Sequence, residues 1–309
     1  INRKGSVLMP QYILQTKELC KEFAHTAAVN RVSMNIQQGD IYGFIGENGA
    51  GKTTFMRMVA GLASPTSGTI RLFGQENLQA GRHHIGCTIE NPALYKNMTA
   101  RENLEIFRHA FGVKNTKSTD KVLSLMGLAD TGRKRVGDFS LGMKQRLAIA
   151  VALLGNPQFL ILDEPINGLD PVGIQELRNL FVQLNREQNI TLLISSHILG
   201  ELSKIATRYG IIHKGSLVSE LSTDDLMAQC ERHLIIRTDC ADKAINVLQA
   251  QLGITKYKIL TPYTISLKEY VGQSEVVNKT LIQNGLVLFE STIYEDSLED
   301  YFNSIIVRR

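Results

Sequence analysis

The sequence predicts an α/β domain on a largely buried sheet, followed by a small ferredoxin-like α+β module. Three observations predict it. From Tyr12 to about Ser219, short apolar runs alternate with helical stretches. The apolar run "IYGFIG" at 41–46 feeds a glycine-rich stretch, "GENGAGKTT", and "KTTFMRMVAGL" continues from it at helical spacing. After Ser219 the pattern changes to strand, helix, strand, strand, helix, strand.

Taken in order, "IYGFIG" is apolar throughout and reads as a buried strand. The helix after it places Phe55, Met58, Val59 and Leu62 on one face. "FSLGMKQRLAIA" at 139–150 reads as a long amphipathic helix capped by Ser140. "FLILDEP" at 159–165 and "TLLISSH" at 191–197 are buried strands ending in polar residues, and the carboxyl ends of such strands are where α/β sheets hold ligands. In the second module "STDDLMAQC" is a capped helix. "HLIIRT", "ADKAINVLQAQL", "KYKIL", "TISLKEY", "SEVVNKTLIQNG" and "LVLFEST" then supply the six elements in turn. "SLEDYFNSIIV" closes it as a helix capped by Ser297. The expected domains are 9–220 and 221–309, with 1–8 an added expression remnant and Met9 the natural start.

A chain of 309 residues, 43% apolar and 21% charged, is globular and long enough for one large domain and a smaller one. The net charge of +4 is not gathered into a dense block, so no nucleic-acid partner is expected. A basic surface against an acidic membrane face stays open. Cys20, Cys87, Cys230 and Cys240 lack metal-ligand spacing and read as reduced thiols. The longest apolar stretch, "LAIAVALL", ends at Gly155, well short of the roughly 20 residues that span a bilayer. No secretion signal is evident at the amino end.

The stretch Gly46, Glu47, Asn48, Gly49, Ala50, Gly51, Lys52, Thr53, Thr54 fits G-x-x-x-x-G-K-[ST] between a strand and a helix. Its backbone N–H groups and the helix amino terminus suit phosphate oxygens. Lys52 adds a cation for the β and γ phosphates, and the Thr53 hydroxyl can coordinate Mg²⁺. Asp163 ends an apolar strand, where a carboxylate needs a cation or water, and holding Mg²⁺ satisfies it. Glu164 points elsewhere along the extended chain and is free to act as a general base. A capped helix starting at Ser140, with Gly142 leaving room for a phosphate, can present a second anion site. Together these residues describe a nucleoside triphosphatase.

With these motifs in order, residues 11–220 resemble the ATP-binding subunits of ABC transporters. "FSLGM" stands at the place of the family signature, "NGLDP" at 167–171 resembles the D-loop, and "SSH" at 195–197 puts His197 at the switch histidine. The resemblance implies a P-loop NTPase of the ABC ATPase type with a helical signature subdomain. It implies a head-to-tail dimer with two sandwiched ATP molecules. Each ATP, with Mg²⁺ at Thr53 and Asp163, would touch Lys52 and Glu164 of one chain and Ser140 and Gly142 of the other; His197 would contact the γ-phosphate, and Leu141 and Asp170 are further nucleotide-binding positions. Phe23 takes the place of the residue that stacks on adenine, and its own sequence context fits a core position equally. The implied partners are a second ATP-binding subunit and a membrane-spanning permease, with the chain peripheral on the cytoplasmic face of the plasma membrane.

Three departures refine the resemblance. Glu47 stands where the loop often has proline, Met143 where the signature often has glutamine, and Glu90 where the Q-loop has glutamine. Glu90 and "FSLGMKQRL" are similar to the bacitracin-resistance and lantibiotic-protection branch, and a carboxylate at 90 is a further candidate Mg²⁺ ligand. The implied function is therefore the ATPase of a peptide-antibiotic exporter. Export of sodium, a lipid or a drug is the alternative within transport. A soluble ATPase of ribosomes or DNA is a further class, disfavoured by the single uninterrupted cassette.

Overall fold

The computed structural model describes residues 12–24, 26–90, 93–229, 232–296, 300–302 and 305. The chain divides into two compact units, Ile1–Thr223 and Asp224–Arg309. The expected remnant at 1–8 and the Ser297 cap lie outside the described residues.

The first unit opens with β1 (Tyr12–Phe23), β2 (Thr26–Val32), β3 (Asn35–Gln37) and β4 (Ile41–Ile45), then α1 (Lys52–Ala60), β5 (Ser67–Leu72), α2 (Leu78–Arg82) and β6 (Ile85–Thr88). Three helices follow: α3 (Ala100–Ala110), α4 (Lys117–Leu125) and α5 (Leu141–Leu153). The unit continues through β7 (Phe159–Leu162), α6 (Pro171–Gln188), β8 (Thr191–Ser196), α7 (Leu199–Leu202), β9 (Arg208–His213) and β10 (Ser216–Ser222).

A six-stranded sheet runs β10-β9-β4-β8-β7-β6, parallel except for β10. Its central strands β4, β7 and β8 contain only buried residues, as continuous apolar runs between two covered faces should. A second, antiparallel sheet places β1 between β2 and β3 and also pairs β1 with β5. Phe44 and Phe55, with ring centroids 5.2 Å apart, sit in the shared core with Leu14, Met34 and Ile36.

Two expectations need correction. Leu62 is 65% exposed and lies beyond α1, because Gly61 turns into the left-handed region and ends the helix at Ala60. The helix after Ser140 is not amphipathic along its length. From Leu147 onward most positions are buried on all sides, because α5 packs against α3, α4 and β6.

The second unit contains most of α8 (Thr223–Gln229), then β11 (Arg232–Thr238), α9 (Ala241–Leu252), β12 (Tyr257–Thr261), β13 (Thr264–Leu267), α10 (Ser274–Gln283) and β14 (Leu288–Glu295). Its sheet order β12-β13-β11-β14, antiparallel throughout, is the ferredoxin-like arrangement. The last strand lies later than the apolar run "LVLFEST" indicated. Pairing with β11 selects 288–295, joining Arg232 to Glu295 and Thr238 to Leu288. Leu234, Ile236, Ile265 and Leu267 face α9 and α10 in this unit's own core. Among the described residues no helix is long and apolar enough to cross a membrane.

One buried polar cluster of the first unit has a readable pH consequence. Tyr42 donates from its hydroxyl to Glu220 Oε1 at 3.0 Å, and the Asn35 N–H donates to the same oxygen at 3.2 Å. Burial raises the Glu220 pKa from its ordinary 4.5, with Asp40 adding to the rise and Asn35, Tyr42 and Arg208 opposing it. The folded protein therefore holds this proton more tightly than the unfolded chain. Stability falls as pH climbs from about 4.5 through the raised value. Glu220→Gln is expected to raise Tm at pH 8 and to lose that advantage near pH 4, as read by thermal melts across pH.

Candidate functional site

The site forms where four neighbouring parallel strands end. β4 delivers the loop 46–54, β8 delivers Ser195 and His197, β7 delivers Asp163 and Glu164, and β6 leads to Glu90. All emerge at the carboxyl edge of one sheet, which brings together residues up to 151 positions apart in sequence.

Two glycines of the loop have no room for a side chain. A Cβ on Gly46 would lie 2.5 Å from the Ile212 carbonyl oxygen, and one on Gly51 would lie 2.3 Å from that of Ala28. Gly51 also has φ +106°, which side chains rarely adopt. The loop closes on a cavity of about 170 Å³ reached by Lys52, Thr53, Thr54, Ala28 and Glu164. Lys52 is buried, and its Nζ donates to the carbonyls of Gly46 at 2.6 Å and Glu47 at 3.2 Å. These are contacts that phosphate oxygens can replace.

Asp163 accepts from the Thr53 hydroxyl at 2.7 Å and from the Ser195 hydroxyl at 2.5 Å. The Ser195 oxygen in turn accepts the Glu164 backbone N–H at 2.8 Å. Glu164 has φ +48°, in the left-handed region, so the chain turns sharply between the two carboxylates. Its Oε2 lies 2.8 Å from His197 Nδ1. Its Oε1 is buried 3.3 Å from Lys52 Nζ yet makes no hydrogen bond, which leaves acceptor capacity for a proton from water.

Thr53 and Asp163 are the hard oxygen donors that suit Mg²⁺. No group of three or more His, Cys, Asp or Glu converges as a metal cage among the described residues. Glu90, expected as a third ligand, does not line the cavity at Lys52. It is exposed, has φ +61°, and is paired with Arg57 of α1 at 2.6 Å.

Ser140 caps α5, accepting the Met143 N–H at 3.3 Å, and Asp170 caps α6, accepting that of Gly173 at 3.1 Å. Leu141 is half exposed, and a Cβ on Gly142 would meet only Leu169. None of these residues lines the cavity at Lys52, nor does Phe23. Phe23 is no core residue, being 53% exposed with Lys21 Nζ 5.0 Å from its ring centre. Glu47 and Asn48 are exposed at the loop tip, with His213 Nδ1 3.9 Å from the Glu47 carboxylate.

The sequence reading missed Ser195, which ties Asp163 to the turn at Glu164. A signal existed, since a hydroxyl inside the apolar run "TLLIS" needs a buried partner. Ala28, whose carbonyl abuts the loop from β2, carries no such signal.

A family profile described as ABC transporter matches residues 29–167. The bacitracin transport ATP-binding protein BcrA of Bacillus licheniformis is 43% identical over 297 residues, 95% of this chain and 97% of that protein. The lantibiotic transport ATP-binding protein SrtF of Streptococcus pyogenes is 42% identical over 212 residues, 69% of this chain and 92% of that protein. Among solved structures, cbiO1 from Clostridium perfringens, part of an ABC transporter complex, superposes with a TM-score of 0.64. It is 26% identical and covers 79% of this chain and 96% of its own. The chain thus belongs to the ABC transporter family, as an ATP-binding subunit with the ATPase fold of that family.

Proposed function

We propose that this ATPase powers a separate membrane permease that clears a bacitracin- or lantibiotic-like peptide antibiotic, working from the cytoplasmic face of the membrane. The observation that carries the catalytic part is the Glu164 carboxylate, held by His197 on one oxygen and left with spare acceptor capacity on the other. Water attacks the γ-phosphorus and passes a proton to Glu164, the bond to the β,γ-bridging oxygen breaks, and ADP and phosphate leave. Lys52 and the loop N–H groups hold the phosphates, and His197 keeps the base oriented. Thr53 and Asp163 would hold Mg²⁺, which when bound offsets charge on the phosphate oxygens.

Ser140, Leu141, Gly142 and Asp170 serve a second copy or a related chain. Their absence from the cavity at their own Lys52 supports this reading, since they complete a site only across a dimer. The open ring of Phe23 suits stacking on adenine. The names and identities of the BcrA and SrtF relatives support the peptide-antibiotic assignment.

Glu164→Gln is expected to lower ATP hydrolysis by about 10²- to 10⁴-fold. ATP binding should persist and the ATP-bound dimer accumulate, as seen by size exclusion. Turnover at the parent rate would remove Glu164 from the role of base. Ser195→Ala leaves the Glu164 N–H buried without its acceptor and should cost about 1–3 kcal/mol in urea unfolding. For the substrate, deleting the gene in its host should increase susceptibility to bacitracin or a lantibiotic, with affinity purification in Mg·ATP recovering a multi-spanning protein. Unchanged susceptibility across both antibiotic classes would refute the substrate while leaving the ATPase chemistry in place.

A further inference from the structure

The sheet of the second unit has two faces of opposite character. Its helices cover the face carrying Leu234, Ile236, Ile265 and Leu267. On the other face, strand register aligns side chains that the apolar pattern does not explain. Lys258 pairs with Ser266, and Ser266 with Ile235. Two residues further along stand His233 within β11 and, immediately beyond the ends of β12 and β13, Lys256 and Lys268, and all three line the same cavity as Lys258 and Ser266. The Lys268 N–H donates to the Lys256 carbonyl at 3.0 Å, so these two lysines are cross-strand neighbours.

Composition does not force this arrangement, because Asp224–Arg309 carries twelve Asp and Glu against nine Lys and Arg. Three of those cations nevertheless share one face with an imidazole, around a cavity of about 670 Å³ whose rim also includes Arg232, Tyr257 and Thr255. That volume is ample for a small-molecule ligand.

Among the described residues, three nearby carboxylates hold its edge. Glu295 pairs with Arg232 at 3.1 Å, Asp296 with His233 Nε2 at 3.1 Å, and Glu269 accepts the N–H groups of Thr255 and Lys256. None of the three lines the cavity. His233 Nδ1 is buried without a hydrogen-bond partner. We propose that this groove, lined by Lys256, Lys258, Lys268 and His233, is a second anion site that binds a ligand carrying phosphate groups, separate from the phosphate loop of the ATPase.

The chain contains no tryptophan, so Tyr257→Trp would place a single indole at the groove of the full-length protein. With the ATPase site saturated by Mg·ADP, the probe is tripolyphosphate, followed by indole fluorescence at two salt concentrations. A saturable change is expected that weakens as salt rises and falls at least tenfold in apparent affinity when Lys256→Glu and Lys258→Glu are added. The milder Lys258→Gln, checked by circular dichroism, should weaken it partly without unfolding the module. A second arm uses vesicles of phosphatidylcholine with and without phosphatidylglycerol. A response to the anionic vesicles alone, lost in the charge-reversed variant, would assign the phosphate to a lipid headgroup. No saturable response to either probe, or one unchanged by the charge reversal, would overturn the proposal.

Discussion

The site depends on holding two adjacent carboxylates at the end of a strand that has no exposed residue. Phe159–Leu162 is apolar and buried, and Asp163 and Glu164 follow at once. An ionised carboxylate beside such a core is costly unless polar groups compensate it. The neighbours supply them: hydroxyls of Thr53 and Ser195 on Asp163, and Lys52 and His197 beside Glu164. Because Lys52 and Thr53 follow β4, Ser195 and His197 come from the end of β8, and both carboxylates follow β7, the parallel order β4-β8-β7 is what makes the arrangement possible. A sheet with these strands apart would leave the charges uncompensated.

The same constraint accounts for the backbone. Two successive residues of an extended strand point in opposite directions, and here the chain turns at Glu164 through a conformation non-glycine residues seldom adopt. The Ser195 hydroxyl braces that turn by accepting the Glu164 N–H. One carboxylate is thereby directed toward the Thr53 hydroxyl and the other toward Lys52 and His197. The separation of a metal-holding group from a proton-accepting one follows from this local geometry. Glu90, also in the left-handed region, is instead paired with Arg57 of α1.

Much of this was legible before any coordinates. The loop, the Asp-Glu pair and His197 are read from short motifs whose context, strand then polar end, is itself a local pattern. The six elements of the second unit were likewise legible from alternating apolar periods. The early β1, β2 and β5 sheet was not, because antiparallel pairing across register shifts leaves little trace in a linear sequence. The extent of α1 and the all-round burial of α5 were misjudged for one reason. A helical period shows which residues share a face, whereas neighbouring elements decide how many faces are covered.

The sequence alone determined which chemistry the chain carries, because a phosphate loop, a metal-binding carboxylate and a base are residue types at fixed short spacings. Only the tertiary structure decided which of those residues meet. It joined Ser195 to the carboxylates, left Glu90 with Arg57, and kept Ser140 and Asp170 away from their own Lys52. It also set three lysines of an acidic module on one sheet face. The physical reason is that cross-strand register and strand order are long-range properties, set by how whole elements bury their apolar faces.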